Sequence, residues 1–315
     1  MAPPLFNGIG AGLFLLPGLL ALLSCSGNGD GELLGVERLA FVPSGAFALR
    51  QVGILAQGGD PVTGGGLLVD IHEVTRGEWL SRGAEIPFAG ATPLGWGDWG
   101  PAQADLPAVG MDRDEARAFA QLVDMRLPTV SEWLWCASGS RGQPHPYGLR
   151  GMASAVNSLE VGLGRAVAVG TFASGRTPGS LLADMEGNVW EWCQGAAPRG
   201  VGLIGGGESE AGCALGGSFL ETAQSLHGEA GILARGLDPR HRAVDLGMRR
   251  VCDAVPWLQS HCAEFSDPPH RARVEGVGRR WGRPALEMLR SLEAQMGGPA
   301  KAPSGLTWLR IGAEK

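Results

Sequence analysis

Glycine is the feature that most limits the fold of this chain, because 52 of its 315 residues are glycine. These glycines follow no fixed period, and between residues 139 and 250 they divide the sequence into short apolar runs. Glycine destabilises the interior of helices and strands and favours turns. The chain is therefore predicted to contain irregular β structure and long loops, and helix bundles and coiled coils are excluded. A hydrophobic fraction of 44% still supplies enough apolar side chains for a core.

The first 25 residues have the character of an export signal. Residues 9–24 are apolar and uncharged, and they are followed by Cys25. A segment of this length, interrupted by glycine and proline, is short for a membrane helix and is typical of a signal peptide. Its end, LLSC at 22–25, resembles the lipobox of bacterial lipoproteins, which implies cleavage before Cys25 and lipidation of that residue. No Lys or Arg precedes the apolar segment, so a plain signal peptide or an uncleaved anchor stays open as an alternative.

This interpretation divides the chain into four parts. Residues 1–25 form the signal peptide with its lipobox, and residues 26–36 form a polar tether. Residues 37–253 form the folded domain, and residues 254–315 form an Arg-rich, partly helical extension. Lipid on Cys25 would hold the domain at the membrane of the bacterial cell envelope. The net charge of −6 provides no basic surface for nucleic acid, so no such partner is expected.

Local patterns predict a strand, a short helix and two longer helices in the first half of the domain. The short helix is suggested by RGEWLS at residues 76–81. Residues 67–75 have the β-branched character of a strand. In MDRDEARAFAQLVDM, residues 111–125, Asp112 is suited to cap a helix whose apolar residues recur at helical spacing. After the RLP corner, Thr129 and Glu132 have the spacing of a capping box, which predicts the second longer helix.

The extension after Asp253 has a different composition. Residues 270–296 are rich in arginine, and residues 284–296 have helical spacing with Pro284 in the first turn. Packing of this helix on the domain and contact with anionic headgroups or a partner are the two interpretations left open.

The order of several motifs resembles that of one protein family. In chain order they read DIHEVTRGEWL, DLPAVGMDRDEARAFA, RLPTVSEWLWCASG, HPYG, DMEGNVWEWC, GGSF and LGMRRV. This order resembles the formylglycine-generating enzymes, or sulfatase-modifying factors, from about residue 37 to residue 253. The resemblance implies a compact, loop-rich α+β fold that is a variant of the C-type lectin fold. The C-terminal helical extension lies outside it.

The resemblance also implies a structural calcium ion. In the family, the segment that matches DMEGNVWEW wraps calcium, and the matching ligands here are the Asp184 and Glu191 side chains with the Gly187 and Val189 carbonyl oxygens. Calcium prefers six to eight oxygen ligands, and this set supplies four donor residues. The alternative is that the two acids only hold the loop by hydrogen bonds. A second family site, which would begin at Asn157, lacks its expected aspartate.

The catalytic centre of the family is expected to be missing. The family's chemistry depends on two cysteines after the GGS motif that bind copper(I) as soft thiolates. The resemblance places these positions at Glu221 and Leu226, which cannot form a bis-thiolate site. Copper and formylglycine-generating activity are therefore not expected. Trp190, Ser218 and Arg235 match other positions of the family's groove, so the resemblance implies a groove without its reactive centre.

Five of the six cysteines remain when the lipobox cysteine is set aside. An exported chain permits disulfides. Related enzymes carry a bridge near Cys136 and Cys252, and the resemblance implies that pair here. Cys193 and Cys213 bracket a Gly-rich loop and are candidates for a second bridge, which leaves Cys262 single. Pairing of Cys252 with Cys262 is the alternative.

Two functions of different classes follow. The first is a non-catalytic, lipid-anchored protein whose groove binds an envelope protein or a small ligand. The second is an oxidoreductase with altered metal chemistry that acts on a peptide or small metabolite. In that case Glu221, His227 and Glu229 could supply metal ligands or an acid–base pair. A hypervariable ligand-binding protein is a third possibility.

Overall fold

The structure is a computed structural model that describes residues 36–45, 65–82, 85, 103–139, 141–196, 203–204, 212–226, 232–261, 280–288 and 291. The chain separates into two compact units, Met1–Leu33 and Leu34–Lys315, and every described residue belongs to the second. The predicted signal peptide with Cys25 lies outside the described residues, as does the tether up to residue 35. None of the described helices has the length and apolar character that crossing a membrane requires.

Eight short strands form the framework of the described structure. In chain order they are β1 (Leu39–Val42), β2 (Leu67–Asp70), β3 (Trp190–Ala196), β4 (Leu203–Ile204), β5 (Gly212–Leu215), β6 (Ala234–Leu237), β7 (Leu246–Gly247) and β8 (Val251–Asp253). Strands β1, β2 and β8 form an antiparallel sheet in the order β1-β2-β8. The other five form a mixed sheet in the order β4-β6-β5-β3-β7. Strands β1, β2 and β5 are buried along their whole length, so their sequences show no alternation of polar and apolar residues.

Five α-helices lie between residues 76 and 261 of the described chain, and a further helical segment covers residues 280–288. The five are α1 (Arg76–Arg82), α2 (Arg113–Gln121), α3 (Val130–Ser138), α4 (Ala223–Leu226) and α5 (Ala254–His261). Both predicted capping boxes are confirmed. The Asp112 and Glu115 side chains each accept the other's backbone N–H at 3.0 Å at the start of α2. Thr129 and Glu132 make the same pair of bonds at the start of α3.

Two predictions differ from the structure in their limits, and one helix was not predicted. The strand predicted over residues 67–75 ends at Asp70, because the chain then bends away from the sheet. The C-terminal helix is helical over residues 280–288, which begins before Pro284, and the residues after 291 lie outside the described structure. Helix α5 was not predicted from the sequence. Its buried residues follow the i, i+3, i+4, i+7 spacing of an amphipathic helix and could have indicated it: Ala254, Trp257, Leu258 and His261.

Tryptophan and other large side chains fill two main clusters of the core. One cluster lies between the three-stranded sheet and α3 and includes Trp133 and Trp135. The other surrounds α2, where Trp79 stacks on Phe119 with ring centroids 4.7 Å apart. Trp192 belongs to the second cluster, and its indole N–H donates to the Met111 carbonyl at 3.2 Å. Trp192 is thus a core residue.

Candidate functional site

Residues 184–192 consist of a tight loop and the first three residues of β3. This segment carries Trp190 and Trp192 and is called the tryptophan loop below. Asp184, Gly187 and Asn188 have positive φ angles of 57°, 77° and 61°, so the backbone coils tightly before the strand begins. A Cβ atom on Gly187 would lie 2.6 Å from the Asn157 carbonyl oxygen, which itself accepts the Asn188 N–H. Glycine at 187 therefore allows the close approach of two backbone segments.

Asn188 ties the tryptophan loop to two other segments. Its side-chain oxygen accepts from the Asn157 side chain at 3.1 Å and from the Val167 N–H at 3.0 Å. Its side-chain nitrogen donates to Glu73 Oε1 at 3.0 Å. Asn188 is buried, and both ends of its amide are satisfied. The Gly-Asn corner is thus a structural joint between the loop and its neighbours.

Glu191 lies at the centre of a buried ion pair with Arg249. The Arg249 guanidinium donates to both Glu191 oxygens, at 2.7 Å and 3.0 Å, and also to the Asp70 and Ala183 carbonyls. The Trp133 indole N–H donates to Glu191 Oε2 at 2.6 Å. Burial alone would lower the pKa of Arg249, but the charge and hydrogen bonds of Glu191 raise it above its usual value. Both charges are therefore kept inside the protein.

Glu73 is a second buried acid beside the tryptophan loop, and the sequence analysis did not identify it. Burial raises the pKa of Glu73 well above its usual value, and the charges of Asp184 and Glu191 raise it further. Burial also raises the pKa of Asp184 above its usual value. Glu73 Oε2 is buried and has no hydrogen-bond partner in the described structure. Glu73 lies in the polar stretch at residues 70–75, at and just after the end of β2, and nothing in its spacing marked it as a buried acid.

One of the predicted calcium ligands, Glu191, offers no free oxygen to a calcium ion in this arrangement. Both Glu191 oxygens are occupied by donors from Arg249 and Trp133, and Asp184 Oδ2 accepts the Gly170 N–H. Within the described ranges, no group of three or more His, Cys, Asp or Glu side chains is placed to hold a metal ion. Arg249 supplies the positive charge that calcium would otherwise bring to Glu191. Calcium binding stays a prediction to be measured.

The four predicted groove residues come together from separate elements. Trp190 opens β3, Ser218 follows β5, Glu221 precedes α4 and Arg235 lies on β6. The Arg235 guanidinium lies 4.5 Å from the centre of the Trp190 ring and donates to Glu221 Oε1 at 2.8 Å. Ser218 Oγ donates to Asp245 Oδ2 at 2.7 Å, and this aspartate was not identified from the sequence. These four residues are called the groove below.

The positions that match the family's two cysteines also converge. A Cβ atom on Gly217 would lie 2.5 Å from Leu226 Cδ2 and 3.6 Å from Glu221 Cγ, so the two side chains approach the same point. Leu226 is fully buried with Ala155 and Val156 in an apolar cluster. A carboxylate committed to an ion pair and a buried alkyl group therefore stand side by side.

The sequence of the domain matches a known protein family. Residues 35–254 match the family described as the sulfatase-modifying factor enzyme 1-like domain.

The chain belongs to this family.

Among the relatives of this sulfatase-modifying-factor domain, one is named as an enzyme and another is named as inactive. The chain is 31% identical over 144 residues to the formylglycine-generating enzyme of Mycobacterium tuberculosis, covering 36% of this chain and 48% of that protein. It is 31% identical over 111 residues to the inactive C-alpha-formylglycine-generating enzyme 2 of Bos taurus, covering 32% of this chain and 36% of that protein. The chain thus spans less than half the length of these relatives.

A solved structure supports the fold. Treponema denticola variable protein 1 superposes on the sulfatase-modifying-factor domain with a TM-score of 0.50 and 16% sequence identity. The match covers 68% of this chain and 94% of that one. At this level of identity the likeness shows the fold alone, and it confirms the predicted α+β architecture.

The predicted disulfides are not formed among the described cysteines of the sulfatase-modifying-factor domain. Cys136, Cys193, Cys213 and Cys252 are all buried free thiols. Burial raises the pKa of Cys213 to about 12, and it raises the pKa of Cys193 well above its usual value. These thiols stay protonated, which makes them poor metal ligands. Cys193 lies directly opposite Cys213 in the β3–β5 pair, so that bridge stays a prediction.

The other predicted residues lie beyond the described part of the chain. His227 and Glu229, which could have joined Glu221 in a metal or acid–base site, are outside it, and so is Cys262. Among the residues that are described, Glu221 bonds to Arg235.

Calcium and EDTA are both expected to leave the melting temperature unchanged. The reason is that Arg249 already balances the buried charge of Glu191. A calcium site filled at 100 times its Kd would add about 2.7 kcal/mol, which would raise Tm by roughly 5–10 °C for a domain of this size. Differential scanning calorimetry with calcium, with magnesium as the control cation, and with EDTA measures this. A rise of that size with calcium alone would restore the predicted calcium site.

Proposed function

We propose that this protein is a non-catalytic sulfatase-modifying-factor-like lipoprotein of the bacterial cell envelope, and that its groove binds a protein partner or small ligand. The observation that carries the proposal is the Glu221–Arg235 ion pair, which stands where the family resemblance implies a copper-binding cysteine. The bovine relative named as inactive shows that the family includes proteins without the activity, and it supports the same conclusion here.

The groove lacks the sulfur ligands that copper(I) chemistry requires. Oxidation of a thiol through copper(I) needs soft sulfur ligands. Glu221 offers a hard carboxylate that is already bonded to Arg235, and Leu226 offers no donor atom. The four described cysteines are buried thiols elsewhere in the core. The residues that remain in the groove are suited to binding.

Two features of the groove support a bound partner. The Trp190 indole N–H is buried and has no hydrogen-bond partner in the described structure, so a ligand oxygen would satisfy it. Leu159 and Leu220 flank Glu221, because Leu159 N–H donates to the Glu221 carbonyl and Leu220 precedes it in the chain. These two leucines are 47% and 49% exposed. Apolar side chains beside a charged pair match the composition of protein interfaces.

Attachment to the envelope rests on the N-terminal sequence. The apolar segment at residues 9–24 followed by Cys25 supports export and lipidation. A lipid on Cys25 and a short polar tether would keep the groove close to membrane-bound partners. Incorporation of radiolabelled palmitate, lost in Cys25→Ser, would measure the anchor directly.

The binding role is tested by crosslinking in intact cells, with the full chain as bait. Leu159→Asp combined with Leu220→Asp is expected to lower recovery of crosslinked partners by about tenfold or more. Leu80→Asp is the matched control, because Leu80 is a similarly exposed leucine on α1. Equal recovery with both variants would contradict binding at the groove. Oxygen uptake with thiol peptides and copper would contradict the non-catalytic assignment.

A further inference from the structure

A cavity of about 600 Å³ lies apart from the groove, between the end of β1, the end of α3 and residues 280–284. None of the four groove residues lines it. Its walls are mostly apolar, and its volume lies within the range of small-molecule binding sites, roughly 300–1,000 Å³. Three aromatic rings contribute to the walls, those of Phe41, Trp135 and Trp281.

Hydrogen bonds hold the two indoles of this cavity in place. Trp135 Nε1 donates to the Pro43 carbonyl at 2.9 Å, and Trp281 Nε1 donates to the Leu39 carbonyl at 2.9 Å. The rings of Phe41 and Trp281 contact each other, with centroids 6.4 Å apart. A wall fixed in this way loses little conformational entropy when a ligand binds. The cavity is therefore preorganised for a flat apolar group.

The charge around the cavity is positive. Among the described residues that line it, two are arginines and none is Asp or Glu, although the chain as a whole carries a net charge of −6. Arg280 is held by the Glu37 and Leu39 carbonyls. Arg141 is exposed and makes no hydrogen bond or ion pair with any described residue. Its guanidinium can therefore bind an anionic group on a ligand.

Ser138 provides an unsatisfied polar group in the same wall. It is the last residue of α3, and its hydroxyl is buried without a hydrogen-bond partner in the described structure. A buried hydroxyl without a partner costs about 1–3 kcal/mol. A rotation of the Ser138 side chain toward the cavity would let a ligand oxygen satisfy the hydroxyl.

We propose that this cavity binds a small aromatic carboxylate. The ring system would pack between the indoles of Trp135 and Trp281, and the carboxylate would bind Arg141. The buried hydroxyl of Ser138 would bond to a polar atom of the ligand. The proposal is independent of the groove, because the two sites share no residue.

Isothermal titration of the full chain with 2-naphthoate tests this proposal. The neutral analogue 2-naphthalenemethanol has the same rings and no charge, and decanoate has the charge and no ring. We expect 2-naphthoate to bind about tenfold more tightly than either analogue, since it alone satisfies both the indoles and the guanidinium. Equal affinity for acid and alcohol, tighter binding of decanoate, or no heat from any of the three would overturn the proposal.

Variants of the cavity separate binding from folding. Arg141→Gln is expected to lower the affinity for 2-naphthoate about tenfold, whereas Arg117→Gln on the exposed face of α2 is expected to leave it unchanged. Ser138→Ala is expected to lower the affinity about threefold while leaving Tm unchanged or higher, because it removes an unpaired buried hydroxyl. Full affinity in Arg141→Gln would show that the charge plays no part, and the proposal would be wrong.

Discussion

Arg249→Met is expected to destabilise the domain by about 3–5 kcal/mol, because it leaves the buried Glu191 without its counter-charge. Arg249 and Glu191 side chains are both 1% exposed, so water cannot replace the lost partner. The substitution also removes donors from the Asp70 and Ala183 carbonyls. Urea unfolding followed by tryptophan fluorescence measures the change in free energy.

A matched control and a second substitution show whether the effect comes from the charge. Arg242→Met removes an arginine that bonds to Asp112 and Glu115 but is 39% exposed, so we expect a loss of about 1 kcal/mol or less. Adding Glu191→Gln to Arg249→Met should recover part of the stability, since no buried charge is then left unpaired. A loss below about 1 kcal/mol in Arg249→Met alone would contradict the role of Arg249 as the internal cation of the tryptophan loop.

The double variant Glu221→Cys/Leu226→Cys is expected to bind about one copper(I) ion per chain, whereas the natural sequence is expected to bind none at this position. The reason is geometric, because both side chains approach the same point beside Gly217. Arg235 would lose its carboxylate partner and would stabilise a thiolate at 221. Anaerobic titration against a chromophoric copper(I) chelator measures the stoichiometry.

The control variant shortens the same two side chains but introduces no sulfur atom. Glu221→Ser/Leu226→Ala is expected to bind no copper(I), although it opens the apolar cluster around Leu226 in a similar way. Leu226→Cys should cost about 1–3 kcal/mol through lost apolar contacts, so circular dichroism must first show that the variant folds. Copper(I) binding by the natural chain, or its absence in a folded double variant, would refute the assignment of these two positions.

The proposed binding role rests on how the groove residues hold one another. Arg235 stacks on Trp190 and bonds to Glu221, so it joins the ring and the acid into one unit. Ser218 is held by Asp245 at the other side. Trp190 and Ser218 are buried, so the part of the groove that a partner can reach is the Arg235–Glu221 pair, whose side chains are 32% and 19% exposed. Such a fixed charge pair favours recognition of a complementary partner.

Local sequence patterns predicted the parts of the fold that depend on close neighbours. The capping boxes at Asp112 and Thr129 were predicted correctly, because each joins residues three positions apart. The limits of the strand at 67–70 were not, since its sequence is apolar on both faces and carries no period that marks its end. The helix α5 carried a readable spacing that was overlooked.

The amino-acid sequence established the loop-rich fold class, because this follows from the glycine content and the order of the motifs. It also established that no thiol stands at positions 221 and 226, because this follows from residue identity. The sequence alone could not show that Arg249 is the positive charge that pairs with Glu191. Arg249 lies 58 positions from Glu191, and the two meet only when β3 and the segment before β8 pack together. Burial then makes their pairing obligatory, since a lone charge in the core costs several kcal/mol. The same packing buries Glu73 near the charges of Asp184 and Glu191, which raise its pKa further, and no spacing in the sequence indicates this.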